Sequence, residues 1–163
     1  MTSKGISIRP AGDGDEGALW SLLEPVFRAG ETYCQPRDIG RADALAYWLG
    51  DHLVFLAEAE AALGTYFIGA NAKGGGAHVC NCGFVTAAAS QGRGVARAML
   101  EHALATAVDQ GYRAMQFNFV VANNLRALAL WSSYGFEEVG RLPEAFRDPR
   151  GAYQDALVMV KRL

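Results

Sequence analysis

The sequence predicts a mixed α/β domain, and three observations point there. Segments of two-residue alternation are interleaved with segments of helical period. The 163 residues make about one domain, enough to bury a sizeable core, and no repeat, low-complexity tract or linker divides them. Hydrophobic residues make up 51% and charged residues 20% of the chain, as in ordinary soluble globular proteins. The expected unit is one domain over residues 1–163.

The elements follow in order. "ISIRP" alternates and stops at Pro10, as a strand does. From Asp13 to Arg28, residues Leu19, Leu22, Leu23, Val26 and Phe27 recur at helical spacing. "ETYCQPRD" is a loop broken by Pro36, and "RADALAYWLG" is a second helix closed by Gly50. "HLVFLAEA" and "ALGTYFIGA" are neighbouring strands of a hairpin. "NAKGGG" is a flexible turn, and "HVCNCGFVT" is the next strand. Gly94 to Asp109 forms an amphipathic helix, ended by Gly111. "RAMQFNFVV" alternates strictly, which puts Met115, Phe117, Phe119 and Val121 on one face. Asn124 to Tyr134 is a short helix stopped by Gly135. "GFEEVGR" and "AYQDALVMV" are two closing strands.

Charge and targeting signals narrow the function classes. The net charge is −2 and the pI about 5.9. With no Lys/Arg-rich run, a nucleic-acid partner is not expected. "MTSKGISIRPAGD" has no apolar signal core and no run reaches membrane length, so the expected location is cytoplasmic. The three cysteines, Cys34, Cys80 and Cys82, are an odd count without a secretion signal, which argues against a disulfide framework.

The most informative stretch is "TAAASQGRGVARAML", with Gly92 and Gly94 just ahead of a helix. A helix N-terminus exposes unpaired N–H groups and a partial positive charge, so it suits a phosphate. Glycines there let a ligand approach the backbone. A P-loop would need Lys and Ser/Thr after the second glycine, where Val95 and Ala96 stand. A dinucleotide fingerprint would need Gly or Ala where Arg97 stands. The pattern Gln/Arg-x-x-Gly-x-Gly/Ala is met throughout by Gln91 to Ala96. A second motif follows one strand later: "NNLRALALWSSYGFEEVG" matches Asn-x-x-Ala-x-x-Leu-Tyr-x-x-x-Gly-Phe at Asn124, Ala127, Leu130, Gly135 and Phe136.

With these two motifs in order, the chain resembles the GCN5-related N-acetyltransferase (GNAT) superfamily, most strongly from Asn81 to Gly140. The resemblance implies a central, twisted, mostly antiparallel sheet flanked by helices, with acetyl-CoA as acetyl donor, a reading that needs no metal. It implies a pyrophosphate held by backbone N–H groups of Gly92, Arg93, Gly94, Val95, Ala96 and Arg97, beside Gln91. The backbone of Phe84, Val85 and Thr86 would pair with the pantetheine arm, and Asn124 and Trp131 would border it. Dimers are common in the superfamily, which leaves a homodimer open.

The catalytic parts depart from the superfamily's pattern. The strand before the loop has no Glu, so His78, the Asn81 amide or ordered water are the candidate proton relays. Trp131 stands where a Tyr acid is usual, and an indole N–H cannot transfer a proton near neutral pH. Tyr134, three residues on and on roughly the same helix face, is either a substitute or a core residue. A thiol has a pKa near 8.5, so its thiolate leaves tolerably well unaided. Asn81 and Asn118 sit in apolar strands, where an unpaired amide is costly. With Asn124 they are the expected catalytic residues. "GTYFIGANA", "HVCNCGF" and "FNFVVANN" are similar to fungal acetyltransferases acting on proline analogues such as azetidine-2-carboxylate. That likeness implies a small amino or imino acid acceptor, bordered by Gly64-Thr65 and the loop "GETYCQPRD". A protein N-terminal or antibiotic-modifying acetyltransferase is the alternative within the enzymes, and an inert CoA-binding regulatory module outside them. His78, Cys80 and Cys82 share one strand face, but no fourth zinc ligand is evident.

Overall fold

The computed structural model describes residues 5–163. The sequence reading of the extreme N-terminus falls partly on residues 1–4, which lie outside the described residues. Strands β1 (Ser7–Pro10), β2 (Leu53–Glu58), β3 (Ala62–Ala70), β4 (Val79–Thr86), β5 (Ala114–Val121), β6 (Glu137–Arg147) and β7 (Tyr153–Arg162) form one seven-stranded sheet. Helices α1 (Glu16–Ala29), α2 (Arg41–Leu49), α3 (Val95–Asp109) and α4 (Leu125–Ser133) flank it. The element order is the one the sequence predicts.

The sheet order is β1-β2-β3-β4-β5-β7-β6. Every neighbouring pair is antiparallel except β4 and β5. Parallel strands need a crossover, and α3 is that crossover. Alternate side chains of the central strands serve opposite layers. On one face, Tyr66, Cys80, Cys82, Met115 and Phe117 pack under Val95, Met99, Leu100 and Ala103 of α3 and Trp131 of α4. On the other, Val54, Leu56, Phe67 and Val85 pack against Leu19, Leu23 and Phe27 of α1 and Trp48 of α2.

Several local expectations are corrected. Helix α1 starts at Glu16 rather than Asp13, because Gly14 takes a left-handed φ of 97°. The strict alternation of β5 fails at its end. A register irregularity between Phe117 and Val120 changes the phase, so Val120, not Phe119, joins Met115 and Phe117 in the α3-side core. His78 lies just outside β4 and is exposed, whereas Cys80 and Cys82 are buried in that core. The one strand face thus divides between solvent and core. Gly64 and Thr65 do not border an acceptor pocket. Thr65 is fully buried, donating to the Phe55 carbonyl (2.8 Å) and accepting from the Trp48 indole (3.1 Å). A Cβ on Gly64 would meet Met99 and the Val85 carbonyl at 2.9 Å.

Candidate functional site

The site begins where the sheet splits. β4 and β5 pair only at Val79–Ala114 and Cys80–Met115. Beyond Cys80 the two strands diverge, and one edge of β4 is left without a backbone partner. Which residues face that edge follows from the β3–β4 ladder. Asn71 N–H bonds to the Val79 carbonyl and Ala87 N–H to the Leu63 carbonyl. Backbone direction alternates along a strand. Asn81, Gly83 and Val85 therefore point their backbone at β3, while Cys82, Phe84 and Thr86 point theirs into the gap. This corrects the expected role of Val85, whose backbone faces Thr65 and whose side chain is in the core. Cys82, weighed from sequence only as a thiol and metal ligand, takes its place at the edge.

Tyr33, from the loop between α1 and α2, closes part of this edge by donating from its hydroxyl to the Phe84 carbonyl at 2.9 Å. Burial pushes the Tyr33 phenol far above its ordinary pKa, so it stays a donor. Opposite, Trp131 packs at 5.2 Å from the Phe84 ring and 4.7 Å from the Phe117 ring. It packs on both strands beyond the point where their backbones pair, and so wedges the gap.

At the top of the gap a short 3-10 turn (Ala88–Ser90) leads into the glycine loop. Gly92 and Gly94 both take left-handed φ values, 78° and 79°, which L residues with a side chain adopt at a cost. Nothing lies within 4 Å of where a Gly92 Cβ would stand. No side chain caps α3 and no acidic residue occupies its first turn, which leaves the N–H groups of the first turn available to an anion. Arg93 is the exception among the expected loop residues. Its N–H is spent on the Ser90 carbonyl (3.3 Å), and it does not line the cavity.

One continuous cavity of about 650 Å³ joins loop, gap and the α1–α2 side of the sheet. Of the residues expected from sequence, Phe84, Val85, Thr86, Gln91, Gly92, Gly94, Val95, Ala96, Arg97, Asn81, Asn118, Asn124 and Trp131 line it. Thr32, Tyr33 and Cys34 of the "GETYCQPRD" loop line its far end. Arg126 also lines it, and was not anticipated from sequence. Its guanidinium donates to the Gln91 side-chain carbonyl at 2.9 Å, tying α4 to the glycine loop and adding a cation there. The signal available was its place one turn into the second motif.

The three asparagines differ in what holds them. Asn81 Nδ2 donates to the Gln116 carbonyl at 2.9 Å, replacing with a side chain the β4–β5 pairing that ends one residue earlier. Asn118 is exposed rather than buried, so the burial argument for it fails. Its amide accepts from Gln116 (2.8 Å) and donates to Asn71 (2.5 Å). Asn124 is the N-cap of α4, accepting from Ala127 N–H at 3.3 Å.

The chain matches the model of the acetyltransferase (GNAT) family over residues 18–136. It belongs to that family. It is similar to the N-acetyltransferase aca1 of Schizosaccharomyces pombe, 31% identical over 85 residues that cover 52% of this chain. The match spans 41% of that relative, less than half its length. Its structure is similar to that of a GCN5-related N-acetyltransferase from Kribbella flavida, with TM-score 0.94, 34% identity and coverage of 99% of this chain and 100% of the other. A phosphinothricin acetyltransferase from Sinorhizobium meliloti, solved in complex with acetyl-CoA, has TM-score 0.86 at 17% identity over 98% of this chain and 89% of its own. At that identity the likeness is one of fold.

This GNAT chain brings no Asp, Glu or His side chain to the cavity wall among the described residues. His78 is outside it. Tyr134 is also outside it. Its hydroxyl donates to Glu101 (2.5 Å) and accepts from Arg97 (3.0 Å). The bond to Glu101 raises the Tyr134 pKa, opposite to what a proton donor needs. The lining phenols and thiols Tyr33, Cys34, Tyr47 and Cys82 are all raised by burial. No helix among the described residues is long and apolar enough to cross a membrane.

Proposed function

We propose that this chain is an N-acetyltransferase, acting as one domain, that moves the acetyl group of acetyl-CoA to the amine of a small amino or imino acid. The observation that carries the reading is the single cavity that joins an uncapped, glycine-led helix terminus to an unpaired strand edge and then to the α1–α2 loop. The fit to the donor is chemical. A diphosphate suits the free N–H groups at α3 and the cations Arg97 and Arg126. An extended amide-bearing arm suits the backbone of Cys82, Phe84 and Thr86 in the gap, added as a strand would be.

Acetyl-CoA would supply the thioester carbonyl and the leaving thiolate, with the C–S bond breaking after the amine has added to that carbonyl. The residues of the chain do the rest. The free N–H groups of Cys82 and Phe84 and the amides of Asn81 and Asn118 supply donors for negative charge growing on the carbonyl oxygen. Among the described residues no lining carboxylate or imidazole takes the amine proton, so the acceptor binds as the neutral amine and its proton leaves through water. The likeness of "HVCNCGF" and "FNFVVANN" to proline-analogue acetyltransferases supports the imino acid end of the acceptor range.

The test is release of free thiol from acetyl-CoA over a panel of amino acids, imino acids, N-terminal peptides and aminoglycosides, with calorimetric titration of CoA in parallel. Thiol release with amino or imino acids is expected. Turnover of peptides or aminoglycosides alone transfers the reading to those acceptors. Tight CoA binding without release from any acceptor identifies an inert binding module.

A further inference from the structure

A second cavity, of about 380 Å³, lies between the α1–α2 loop and the β6–β7 hairpin. Tyr33 and Cys34 line both cavities, so the second adjoins the first at its acceptor end. Its charge is carried by Arg37, Arg147 and Asp148.

Each of the three is held differently. The Arg37 stem lies across the end of α1, where a Cβ on Gly30 would sit 2.8 Å from its Cδ. Its Nε donates to the Arg28 carbonyl at 2.7 Å, and its two terminal nitrogens have no partner among the described residues. Arg147, at the end of β6, folds over the hairpin turn, its guanidinium 3.6 Å from the position of a Gly151 Cβ. It makes no ion pair among the described residues, whose salt bridges involve Arg9, Arg28 and Arg141 instead. Asp148 cannot answer either cation fully. Its Oδ1 accepts from the N–H groups of Arg150 (2.9 Å) and Ala152 (3.0 Å), and its Oδ2 from the Gln154 amide (3.2 Å). The carboxylate is consumed in holding the turn.

We propose that Arg37 and Arg147 form the carboxylate subsite for the acceptor, selecting amines that also carry an anionic carboxylate. Guanidinium groups suit this role because they meet a carboxylate with two parallel donors. The inference rests on the acetyltransferase reading and narrows its acceptor to anionic amino and imino acids over neutral amines. Two guanidinium groups against one saturated carboxylate leave the cavity with a net positive charge, in a chain that is acidic overall.

The test compares amino acids and proline, each beside its carboxamide, by thiol release. The wild type is expected to prefer the carboxylates by about tenfold or more in kcat/KM, the scale of one charge-assisted contact. Arg147→Gln is expected to reduce that preference by about tenfold, leaving turnover of the carboxamides and the KM for acetyl-CoA unchanged. Arg147→Lys should restore part of it. Arg37→Gln also removes the bond to Arg28, so Arg147 is the cleaner probe. Equal losses on carboxylate and carboxamide, or no preference in the wild type, overturn the subsite. If no amine turns over, the acetyltransferase reading fails on that result alone. The subsite is then read by calorimetric binding of proline and prolinamide: tighter proline binding that Arg147→Gln removes supports it, and equal binding of the two overturns it.

Discussion

Asn81 on β4 and Asn118 on β5 both line the cavity, yet removing each has a different meaning. Asn81 holds β5 to β4 through the Gln116 carbonyl just where their ladder ends. Asn81→Ala leaves that part-buried carbonyl without its donor and is expected to cost about 1–3 kcal/mol of stability, read as a lower denaturation midpoint with unchanged slope. Asn118 is exposed, so Asn118→Ala is expected to change stability by no more than about 0.5 kcal/mol. A fall in its kcat with normal CoA binding would then report a role at the carbonyl or the acceptor. Asn124 needs a third design, because it caps α4. Asn124→Ala removes the cap at a cost of about 1 kcal/mol, whereas Asn124→Ser keeps a capping oxygen. If Ser restores stability but not thiol release, the amide does more than cap. Equal recovery of both assigns Asn124 to the helix alone.

At the scale of elements, the start of α3 separates two costs that usually arrive together. Gly92 has a left-handed φ but open space around its missing Cβ. Gly92→Ala is therefore expected to cost about 1–2 kcal/mol in backbone strain, while its methyl stands in the approach to the free N–H groups. The KM for acetyl-CoA should rise about tenfold or more, with kcat at saturation little changed. An unchanged KM would remove the loop from donor binding. The elements themselves were legible because each carries its own period and stop signal: Gly50 and Gly135 end helices, Pro10 ends a strand, and the glycine turn opens α3. The gap was not legible as geometry. "HVCNCGFVT" and "RAMQFNFVV" each read as a regular strand, and nothing local says that their pairing stops after two residues. Only a motif resemblance suggested it. Backbone direction was equally hidden, which is why Val85 was expected at the edge and Cys82 was missed. Arg37 and Arg147 lie 110 positions apart and meet one cavity only after the sheet has closed around β7, so no local pattern could join them.

For the molecule as a whole, the consequence of a cavity wall without Asp, Glu or His among the described residues is a pH profile. An alkyl amine with a pKa of about 10.4 is tenfold less neutral for each pH unit below that value. An enzyme with a base of pKa near 7 would flatten that slope above neutrality. Here the lining Tyr33, Cys34, Tyr47 and Cys82 are all pushed upward by burial, and none supplies such a base. Log kcat/KM is therefore expected to rise with unit slope from about pH 6 to pH 9, with no inflection near 7 and no change of slope in His78→Gln. An inflection near neutrality would mean that a hidden base acts through water. Acid loss of the Arg9 clamp does not distort this window. Arg9 bonds to Asp15 and Glu58, clamping β1 to the start of α1 and to β2. The Arg9 bond, helped by the Gly12 N–H, lowers the Asp15 pKa from 3.8 to about 2. A carboxylate depressed in the folded state contributes stability above its unfolded pKa and loses it as pH falls through the folded value. That loss runs from about pH 4 down to about pH 2, below any pH at which the amine could react, so a slope measured above pH 6 reports the chemistry of the site.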